Sequence, residues 1–600
     1  MSTEQLDEAV DLQASGGASR KPSFGRELFR GSARIDLLTL PPGVGQRLDE
    51  ESEAFLQRLR EFLTRVDAPA IERDDRLPDE VITGLRDLGA FAIKIPRAYG
   101  GLGLPGVCYH RALMLASSVH PALSELLAAH QAIGLPQPIT LFGTEEQKRE
   151  FLPRCVREIS AFALTEPDIG NDPYRIHTTA VPHSDTYVLN GVKSWATNGV
   201  LADLLVVLAQ VPGMEDHAGG MTAFVVEADS PGVTVEHRNA FLGLRGVENG
   251  VIRLHEVVVP AGNRIGGEGE GLEIALAAQD TGRLSLPAVC AAAAKWSLKI
   301  AREWSKARVQ WGRSIGEHEA VAGKIAFIAA TAFALEAIVE VTGRHADDEQ
   351  VDTRIDAELA KLYATEKAWL VADELVQIRG GRGYETAESA AARGERGVPV
   401  EQLLRDLRVG RIFDGSSEVL RVFLAHEILS EYRWDGPGDS TSTGLAHYGP
   451  LVPHLLFVEQ AAHKVAQRLT DGLARWGEEF EEHQLHVGRL VDIVAELYAM
   501  STACVYAKAR DDLGEAAVEL ADAFCRQATR RVEELFDRLA SNTDDHDRVI
   551  ARRVLDEQHT WLEQGVLDPS APGPWIAQSA PGPSRHRNLR RKVPKAADPT

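Results

Sequence analysis

Cysteine is scarce in this chain of 600 residues, and its distribution argues against two kinds of site. Cys108, Cys155, Cys290, Cys504 and Cys525 are scattered along the chain, and no two of them form a C-x-x-C pair. A sparse and odd-numbered set argues against a disulfide framework and against a structural zinc site. We therefore expect chemistry that depends on neither a thiol nor a metal.

Positive charge and long apolar runs are also lacking. The 65 basic and 88 acidic side chains leave a net charge of −23, which argues against a nucleic-acid partner. No apolar run is long enough to span a bilayer. The first residues include Glu4, Asp7, Glu8 and Asp11, whereas signal and transit peptides are basic. The sequence therefore predicts a cytoplasmic protein.

Six hundred residues are too many for one hydrophobic core, and the apolar pattern divides the chain into several domains. Apolar residues recur at helical spacing, then alternate as in strands, and then return to helical spacing. The sequence predicts an irregular arm (1–45), a helical domain (46–160), a β domain (161–270), a helical bundle (271–430), a Gly/Ser/Thr-rich linker (431–450), a further helical domain (451–568) and a disordered basic tail (569–600).

The β domain is the part of this mostly helical protein where strand signals are dense. Residues 187–195 are predicted to form a hairpin around the turn dipeptide Asn190-Gly191. Further strands are predicted at 204–208, 222–226 and 251–254. Trp195 and Thr197 are two residues apart, so they would share one face of a strand.

Asp414 lies on a predicted short connector between two helices. The apolar pair Ile412 and Phe413 precedes it, Gly415 allows a sharp turn, and Ser416 can cap the next helix. A carboxylate beside apolar residues can be desolvated, which raises its pKa and makes it a stronger base. A helix-capping Asp at a surface turn is the alternative interpretation.

The segment Phe413-Asp414-Gly415-Ser416 resembles the catalytic segment of acyl-CoA dehydrogenases. Two further segments resemble the flavin-contacting motifs of that family, namely Thr165-Glu166-Pro167 and Ser194-Trp195-Ala196-Thr197. The resemblance extends from about residue 46 to 429. The segment before it and the helices after it are similar to the very-long-chain type. The implied fold is a helical domain, a β-barrel-like domain and a four-helix bundle, followed by extra helices.

The resemblance implies FAD as the cofactor. Thr165 would contact the pyrimidine end of the flavin, Trp195 would cover one face of the ring, and Thr197 would bond to the nitrogen that accepts hydride. A glycine-containing segment after residue 376 would touch the FAD of a neighbouring subunit, so that a homodimer would share its cofactor sites. The full implied cofactor set is Phe162, Leu164, Thr165, Trp195, Thr197, Arg308, Gln310, Trp311, Gln377, Gly380, Gly381, Ser416 and Glu418.

The resemblance also implies that Asp414 is the base that removes the α-proton of an acyl thioester. The family usually has Glu at this position, and Asp is one methylene shorter. Some family members place the base just before the arginine of the substrate helix, but here that residue is Gly282. Asp414 is therefore the base that the resemblance offers. The implied substrate contacts are Asn171, Asp280, Arg283 and Gly415.

The sequence thus predicts an FAD-dependent α,β-dehydrogenation of a fatty acyl-CoA in fatty acid β-oxidation, with electron-transfer flavoprotein as the electron acceptor. Three alternatives remain open, and the last two follow from the Asp. The substrate could be carried on an acyl carrier protein, or it could be more acidic, as in the nitroalkane oxidases that use Asp. The chain could also be a catalytically weak flavin-binding scaffold.

Two further features lie outside the core resemblance. Amphipathic helices and a basic tail suggest the hypothesis of peripheral membrane contact, although apolar faces buried in a core would give the same pattern. Residues 384–399 are longer than in family members of ordinary length, and the sequence assigns them no role.

Overall fold

A computed structural model describes residues 21–40, 47–214, 217–348, 350–430, 444–577 and 581–594 of the chain. The greater part of the predicted linker, residues 431–443, lies outside the described residues. The described chain forms helical domains on either side of one sheet, in the order that the change of apolar period predicts.

An N-terminal helical domain precedes the sheet. Its amphipathic helices bury their apolar faces in one core, for example Phe55 and Leu59 on one helix and Ile82 and Leu85 on another. The helices of this region are α1 (Phe24–Phe29), α2 (Glu50–Leu63), α3 (Ala68–Asp74), α4 (Asp79–Asp87), α5 (Gly106–Val119), α6 (Pro121–Gln131), α7 (Pro136–Phe142) and α8 (Glu145–Cys155).

The predicted arm contains α1 and is tied to the body of the protein. The Ser23 hydroxyl and the Gly25 N–H both donate to the buried Asp356 carboxylate, at 3.0 and 2.7 Å. The glycine-rich stretch around Gly100 forms the turn that the sequence predicts, with a short 3₁₀ helix at Arg97–Tyr99. Neither segment contributes to the candidate site described below.

The middle domain is an eight-stranded, mostly antiparallel sheet of order β6-β7-β3-β2-β4-β5-β8, with β1 parallel to β4. Apolar residues of β4 and β5 are buried on both faces, which explains their near-continuous apolar runs. Its strands are β1 (Ser160–Ala163), β2 (Thr179–His183), β3 (Thr186–Ala196), β4 (Leu204–Val211), β5 (Gly220–Glu227), β6 (Val233–Arg238), β7 (Gly250–Pro260) and β8 (Arg264–Ile265).

The predicted hairpin at Asn190-Gly191 is wrong. Residues 186–196 form the single strand β3, and its register with β7 shifts between Leu189 and Gly191. β3 pairs with β2 along one edge and with β7 along the other, and this pairing continues the strand through the dipeptide. A Cβ at Gly191 would lie 2.2 Å from the Thr178 hydroxyl, so glycine is needed for close packing rather than for a turn. The turn between strands occurs at Ser184, where φ is +60°.

A helical bundle follows the sheet, and α9 crosses α10 and α11 over long contacts. A two-stranded hairpin, β9 (Val309–Gln310) and β10 (Arg313–Ser314), connects α9 to α10. Its helices are α9 (Gly271–Ala307), α10 (Glu319–Ala346), α11 (Arg354–Arg379), α12 (Gly381–Tyr384), α13 (Ala387–Ala392), α14 (Val400–Leu407) and α15 (Ser417–Ser430).

A C-terminal helical extension packs on the bundle mainly through α17, and also through α18. The residues that the sequence marks as its apolar face, including Leu490, Val494 and Tyr498, are fully buried. The same holds for Val532 on α18. The predicted amphipathic faces are therefore core. The helices of the extension are α16 (Val452–Trp476), α17 (Gln484–Ala509), α18 (Glu515–Ala540) and α19 (Asp544–Leu555).

Among the residues that the structure describes, two helices, α10 and α17, are long and apolar enough to cross a membrane by length and composition alone. The prediction that no such run exists was therefore too strict. However, 72% of the most apolar window of α10 and 94% of that of α17 lie buried inside the protein. Core helices of a large bundle have the same composition, and the packing identifies these two as core helices.

The tail differs from the predicted disorder. Residues 581–594 lie along the middle domain, where Leu589 and Arg591 donate backbone N–H bonds to Val235 and Val200 at 2.9 and 2.8 Å. The Arg591 guanidinium donates to Glu248 at 2.7 Å. Composition suggested a solvated basic cluster, but carboxylates brought together by the fold provide partners for these cations.

Candidate active site

Asp414 lies in a strained turn between two helices. A 3₁₀ helix ends at Arg411 and α15 begins at Ser417, as the sequence predicts. Asp414 has φ +50° and Gly415 has φ +84°, so two consecutive residues adopt left-handed conformations. A non-glycine residue there costs on the order of 1–3 kcal/mol and is often found where function requires it. The Ser416 hydroxyl accepts the Val419 N–H at 3.4 Å and caps α15.

Two cations oppose the effect of burial on the Asp414 carboxylate. Burial raises the pKa of Asp414, while Lys361 and Arg283 oppose that rise. Lys361 is fully buried, and its ammonium donates to the Gly415 carbonyl at 2.6 Å. Burial lowers the pKa of Lys361 to about 8, although the Asp414 charge opposes this. Sequence analysis missed Lys361, because nothing in the sequence of α11 distinguishes it from a solvated lysine.

Arg283 links the predicted substrate helix to this turn. Its guanidinium donates to Asp280 at 2.8 Å, one helical turn earlier on α9, and to Glu358 on α11 at 2.5 Å. Burial raises the pKa of Asp280, although Arg283 works in the opposite direction. The predicted pair Asp280 and Arg283 is therefore placed together and lies close to Asp414, whose charge raises the pKa of Arg283. Glu358 is the member of this cluster that sequence analysis missed.

Trp195 and Thr197 lie side by side where β3 ends. Trp195 has φ +52° at an irregularity of the strand, and its side chain is 53% exposed. The amide of Asn249 donates to the Trp195 carbonyl at 2.8 Å and to the Thr197 hydroxyl at 3.0 Å. Because that hydroxyl oxygen already accepts, its own proton is free to be donated outward. Asn249 is a positioning residue that sequence analysis missed.

Thr165 is fixed next to these residues by a buried ion pair. The Ser194 N–H donates to the Thr165 carbonyl at 2.8 Å. Lys193 donates to the Glu166 carboxylate at 2.8 Å and to the Leu164 carbonyl at 3.0 Å. Such a pair is worth little in net stability but fixes the geometry of its backbone. The backbone of Thr165 therefore lies next to the end of β3, which leads into Trp195 and Thr197.

The second predicted cofactor set lies at the other end of the bundle. Trp311 has φ +54° at the tip of the β9–β10 hairpin and is 94% exposed. Arg308 lies in a groove with Arg379 and Arg382, and a planar guanidinium suits a diphosphate. Gln377 and Gly380 lie at the C-terminal end of α11, and a Cβ at Gly380 or Gly381 would meet nothing within 4 Å. An aromatic side chain and open backbone therefore face outward together.

These two surfaces fit a flavin dinucleotide. An exposed indole beside a free hydroxyl proton suits the ring, and a groove of guanidinium groups suits the diphosphate. Phe162 and Leu164 are partly buried on β1 and just beyond it, and Gln310 and Glu418 are exposed. Asn171 is exposed in the loop between β1 and β2.

A cavity of about 530 Å³ begins beside the catalytic turn and passes between α6 and α9. Phe413, Leu286 and Cys290 line its inner part, together with Glu125 on α6. Its far side is formed by the insertion of unassigned role, through Thr386, Ala387, Glu388, Gly397 and Pro399. The insertion therefore forms a wall of this cavity. Glu125 is a further site residue that sequence analysis missed.

Comparison with known proteins agrees with this geometry. Three family models match in sequence order, namely the N-terminal (49–158), middle (161–257) and C-terminal (269–429) domains of acyl-CoA dehydrogenase. The chain belongs to the acyl-CoA dehydrogenase family. This confirms the resemblance, the three-domain fold, the predicted FAD cofactor and the predicted acyl-CoA dehydrogenation.

Relatives with the extra C-terminal helices are among the matches. A probable acyl-CoA dehydrogenase FadE10 of Mycobacterium tuberculosis is 52% identical, over 98% of this chain and 97% of its own length. A very-long-chain specific acyl-CoA dehydrogenase of Rattus norvegicus is 30% identical, over 94% of this chain and 92% of its own. An acyl-CoA dehydrogenase of Bacillus anthracis, solved with FAD, superposes with a TM-score of 0.72 at 25% identity, over 83% of this chain and 90% of that one.

Proposed function

We propose that Asp414 is the base in this acyl-CoA dehydrogenase, and that it removes the α-proton of a fatty acyl-CoA. One observation carries the proposal. Asp414 is a carboxylate held in a left-handed turn beside the cavity, with burial raising its pKa while Lys361 and Arg283 oppose that rise. Desolvation makes a carboxylate a stronger base, which suits it to abstract a weakly acidic proton. When bound, FAD accepts the hydride from the β carbon.

The neighbouring groups complete this proposal. In the described part of the chain, the Asp414 backbone N–H has no hydrogen-bond partner, so it is available to a thioester oxygen. A donor aimed at developing negative charge is often worth several kcal/mol in the transition state, roughly 3–4 in mutational studies. Thr197 directs its proton outward beside Trp195, and Asn249 fixes both. Arg283 and Lys361 supply the positive field around the base.

The proposed base is tested by anaerobic flavin reduction. Wild type and Asp414→Asn are mixed with saturated acyl-CoAs of increasing chain length, and bleaching of the oxidised flavin is followed. We expect the variant to be slower by about 100- to 10,000-fold, the usual worth of a general base. Asp545→Asn, on exposed α19, is the matched control and should react like wild type. Unchanged bleaching in Asp414→Asn would contradict the assignment.

We also propose that the chain is a homodimer that shares its cofactor sites. The proposal is supported by Trp311 and Val309, which are 94% and 55% exposed on one hairpin, and by the open backbone at Gly380. Such exposed aromatic and apolar groups are typical of interfaces. Light scattering should give twice the mass of the chain, and Trp311→Ser should lower the flavin content. A monomer with full flavin occupancy would contradict the proposal.

Electron-transfer flavoprotein remains our proposed electron acceptor, and the cytoplasm our proposed location.

Peripheral membrane contact is proposed for residues after α18, because several of their apolar side chains face outward. Leu555, Trp561, Leu562 and Leu567 are each more than half exposed. A patch of this kind marks an interaction surface. Flotation with anionic liposomes should recover wild type, and the triple substitution Trp561→Ser, Leu562→Ser, Leu567→Ser should abolish it. Equal flotation would contradict the proposal.

A further inference from the structure

Glu125 is a buried carboxyl group in the wall of the cavity that adjoins Asp414. It lies in the middle of α6, its residue is 9% exposed, and it faces the same space as Leu286, Cys290 and Phe413. Most of the inner wall around it is apolar. A polar group in such a wall is unusual for a site that receives only hydrocarbon.

Within the described residues, the Glu125 carboxyl group has no hydrogen-bond partner and no ion pair. Other buried glutamates of this protein are paired. Glu166 accepts from Lys193 at 2.8 Å, and Glu340 accepts from Arg111 at 2.8 Å. A buried polar group without a partner is costly, so its natural partner is expected to be something that enters the cavity.

The state of this group suits it to bind an oxygen atom. Burial, together with the nearby Asp414 charge, raises the pKa of Glu125 to about 8. At neutral pH it is therefore mostly a carboxylic acid, which can both donate and accept a hydrogen bond. The nearby Asp414 differs from it in having two cations beside it, Lys361 and Arg283, which oppose the rise of its pKa.

We propose that Glu125 is a specificity-determining residue that hydrogen-bonds an oxygen on the acyl chain, so that the preferred substrates are acyl thioesters bearing a hydroxyl or carbonyl group. This inference rests on the proposed function. A chain that fills the cavity displaces water from Glu125. A purely hydrocarbon chain would leave the carboxyl group unpaired, whereas an oxygenated chain would satisfy it.

The test compares dodecanoyl-CoA with its mono-hydroxylated positional isomers. Anaerobic flavin bleaching gives kcat/KM for each thioester with wild type, Glu125→Gln and Glu125→Leu. Gln keeps a hydrogen-bonding group of the same size, and Leu removes it. Asp545→Asn, on exposed α19 and outside the cavity lining, is the matched control.

In wild type we expect one hydroxylated isomer to react about 10- to 100-fold better than dodecanoyl-CoA, the usual cost of leaving a buried polar group unpaired. Glu125→Leu should abolish that preference by accelerating dodecanoyl-CoA and slowing the hydroxylated isomer. Glu125→Gln and Asp545→Asn should keep it. Binding of the enoyl-CoA products, read from the flavin spectrum, should follow the same order and confirms that the variants are folded.

Two results would overturn the inference, and they differ. If every thioester bleaches the flavin but the preference is the same in wild type and Glu125→Leu, Glu125 does not select the substrate and the dehydrogenase proposal stands. If no thioester bleaches the flavin of wild type, the dehydrogenation itself fails, and the role of Glu125 fails with it.

Discussion

Two buried glutamates on packed helices, Glu358 of α11 and Glu496 of α17, respond in opposite ways to burial. Glu358 receives one short bond from Arg283 at 2.5 Å, and its second oxygen has no partner among the described residues. Glu496 accepts from Arg531 at 2.7 and 2.9 Å and from Lys367 at 2.7 Å. Both residues are less than 5% exposed. The two carboxylates are similarly buried, but the balance of charge around them differs.

That balance decides the direction of each pKa shift. Burial raises the pKa of Glu358, and the nearby Glu427 and Asp280 add to the rise although Arg283 opposes it. Burial also acts to raise the pKa of Glu496, but Lys367 and Arg531 outweigh it and lower the pKa to about 2. The arginine that bonds Glu358 also bonds Asp280, whereas Glu496 has two cations, Lys367 and Arg531. The first arrangement leaves the pKa of a buried carboxylate raised, and the second joins the bundle to the extension.

The largest expected effect comes from removing the charge of Glu496. Glu496→Gln leaves Lys367 and Arg531 buried without their counter-charge, which typically costs 3–5 kcal/mol of unfolding free energy. Glu358→Gln is the matched control, because an amide resembles the protonated acid that its surroundings favour. Scanning calorimetry should show a large drop in unfolding midpoint for the first and a small one for the second. Equal drops would break the comparison.

The stability contributions of Glu496 and Glu358 should depend on pH in opposite directions. The pKa of Glu496 is lowered from its usual value of 4.5 to about 2, so its contribution to stability is complete above pH 4.5 and is lost as the pH falls towards 2. Glu358 has a raised pKa, so its ionisation destabilises the fold as the pH rises. Calorimetry across this range should show a weaker acid dependence in Glu496→Gln than in wild type. An unchanged slope would contradict the assignment.

A smaller loss of unfolding free energy is expected when a buried carboxylate loses one cation and keeps another. Glu248 is buried and accepts from Arg238 at 2.8 Å and from Arg591 of the tail at 2.7 Å. Arg591→Ala removes the second cation, and we expect a loss of about 1–3 kcal/mol. Thermal unfolding measures this loss, and flavin reduction should stay at the wild-type rate. If Arg591→Ala leaves the unfolding midpoint unchanged, these contacts contribute no stability.

The pH dependence of kcat/KM tests the electrostatics around Asp414. Lys361 opposes the rise in the pKa of Asp414, so Lys361→Met should raise that pKa further. Because Asp414 must be ionised to act as base, the acid limb of kcat/KM should move to higher pH, by about one unit, or about 1.4 kcal/mol. Glu125→Gln removes a neighbouring acid and should not move the limb upward. A limb that stays in place in Lys361→Met would contradict the electrostatic role of Lys361.

The smallest effect is expected on the surface of the insertion. Arg393 is bonded to Glu385 and to Glu395, and all three groups are solvated. Exposed pairs contribute little because water and salt screen them. Glu385→Gln should leave the unfolding midpoint unchanged within experimental error. A clear drop would show that solvated pairs in this protein behave like the buried network around Glu496.

The sequence by itself determined the order of the domains and most of the catalytic turn. The change of apolar period marks the sheet, and Gly415 with Ser416 marks the break between helices, because backbone conformation and capping are local properties. Motif resemblance singled out Trp195 and Thr197, which both receive a bond from Asn249, and Arg283, which lies close to Asp414; their roles stay predictions. The Asn190-Gly191 turn was mispredicted, because pairing on both sides of a strand overrides a local turn preference.

Only the tertiary structure decided the electrostatics of the site and the path of the tail. Glu125, Glu358 and Lys361 lie on helices whose local sequence does not distinguish a buried charge from a solvated one, and their pKa values depend on groups far away along the chain. The basic tail carries no helix or strand pattern, yet it follows carboxylates of three separate segments. Charge interactions act through space, so their partners are known only once the chain has folded.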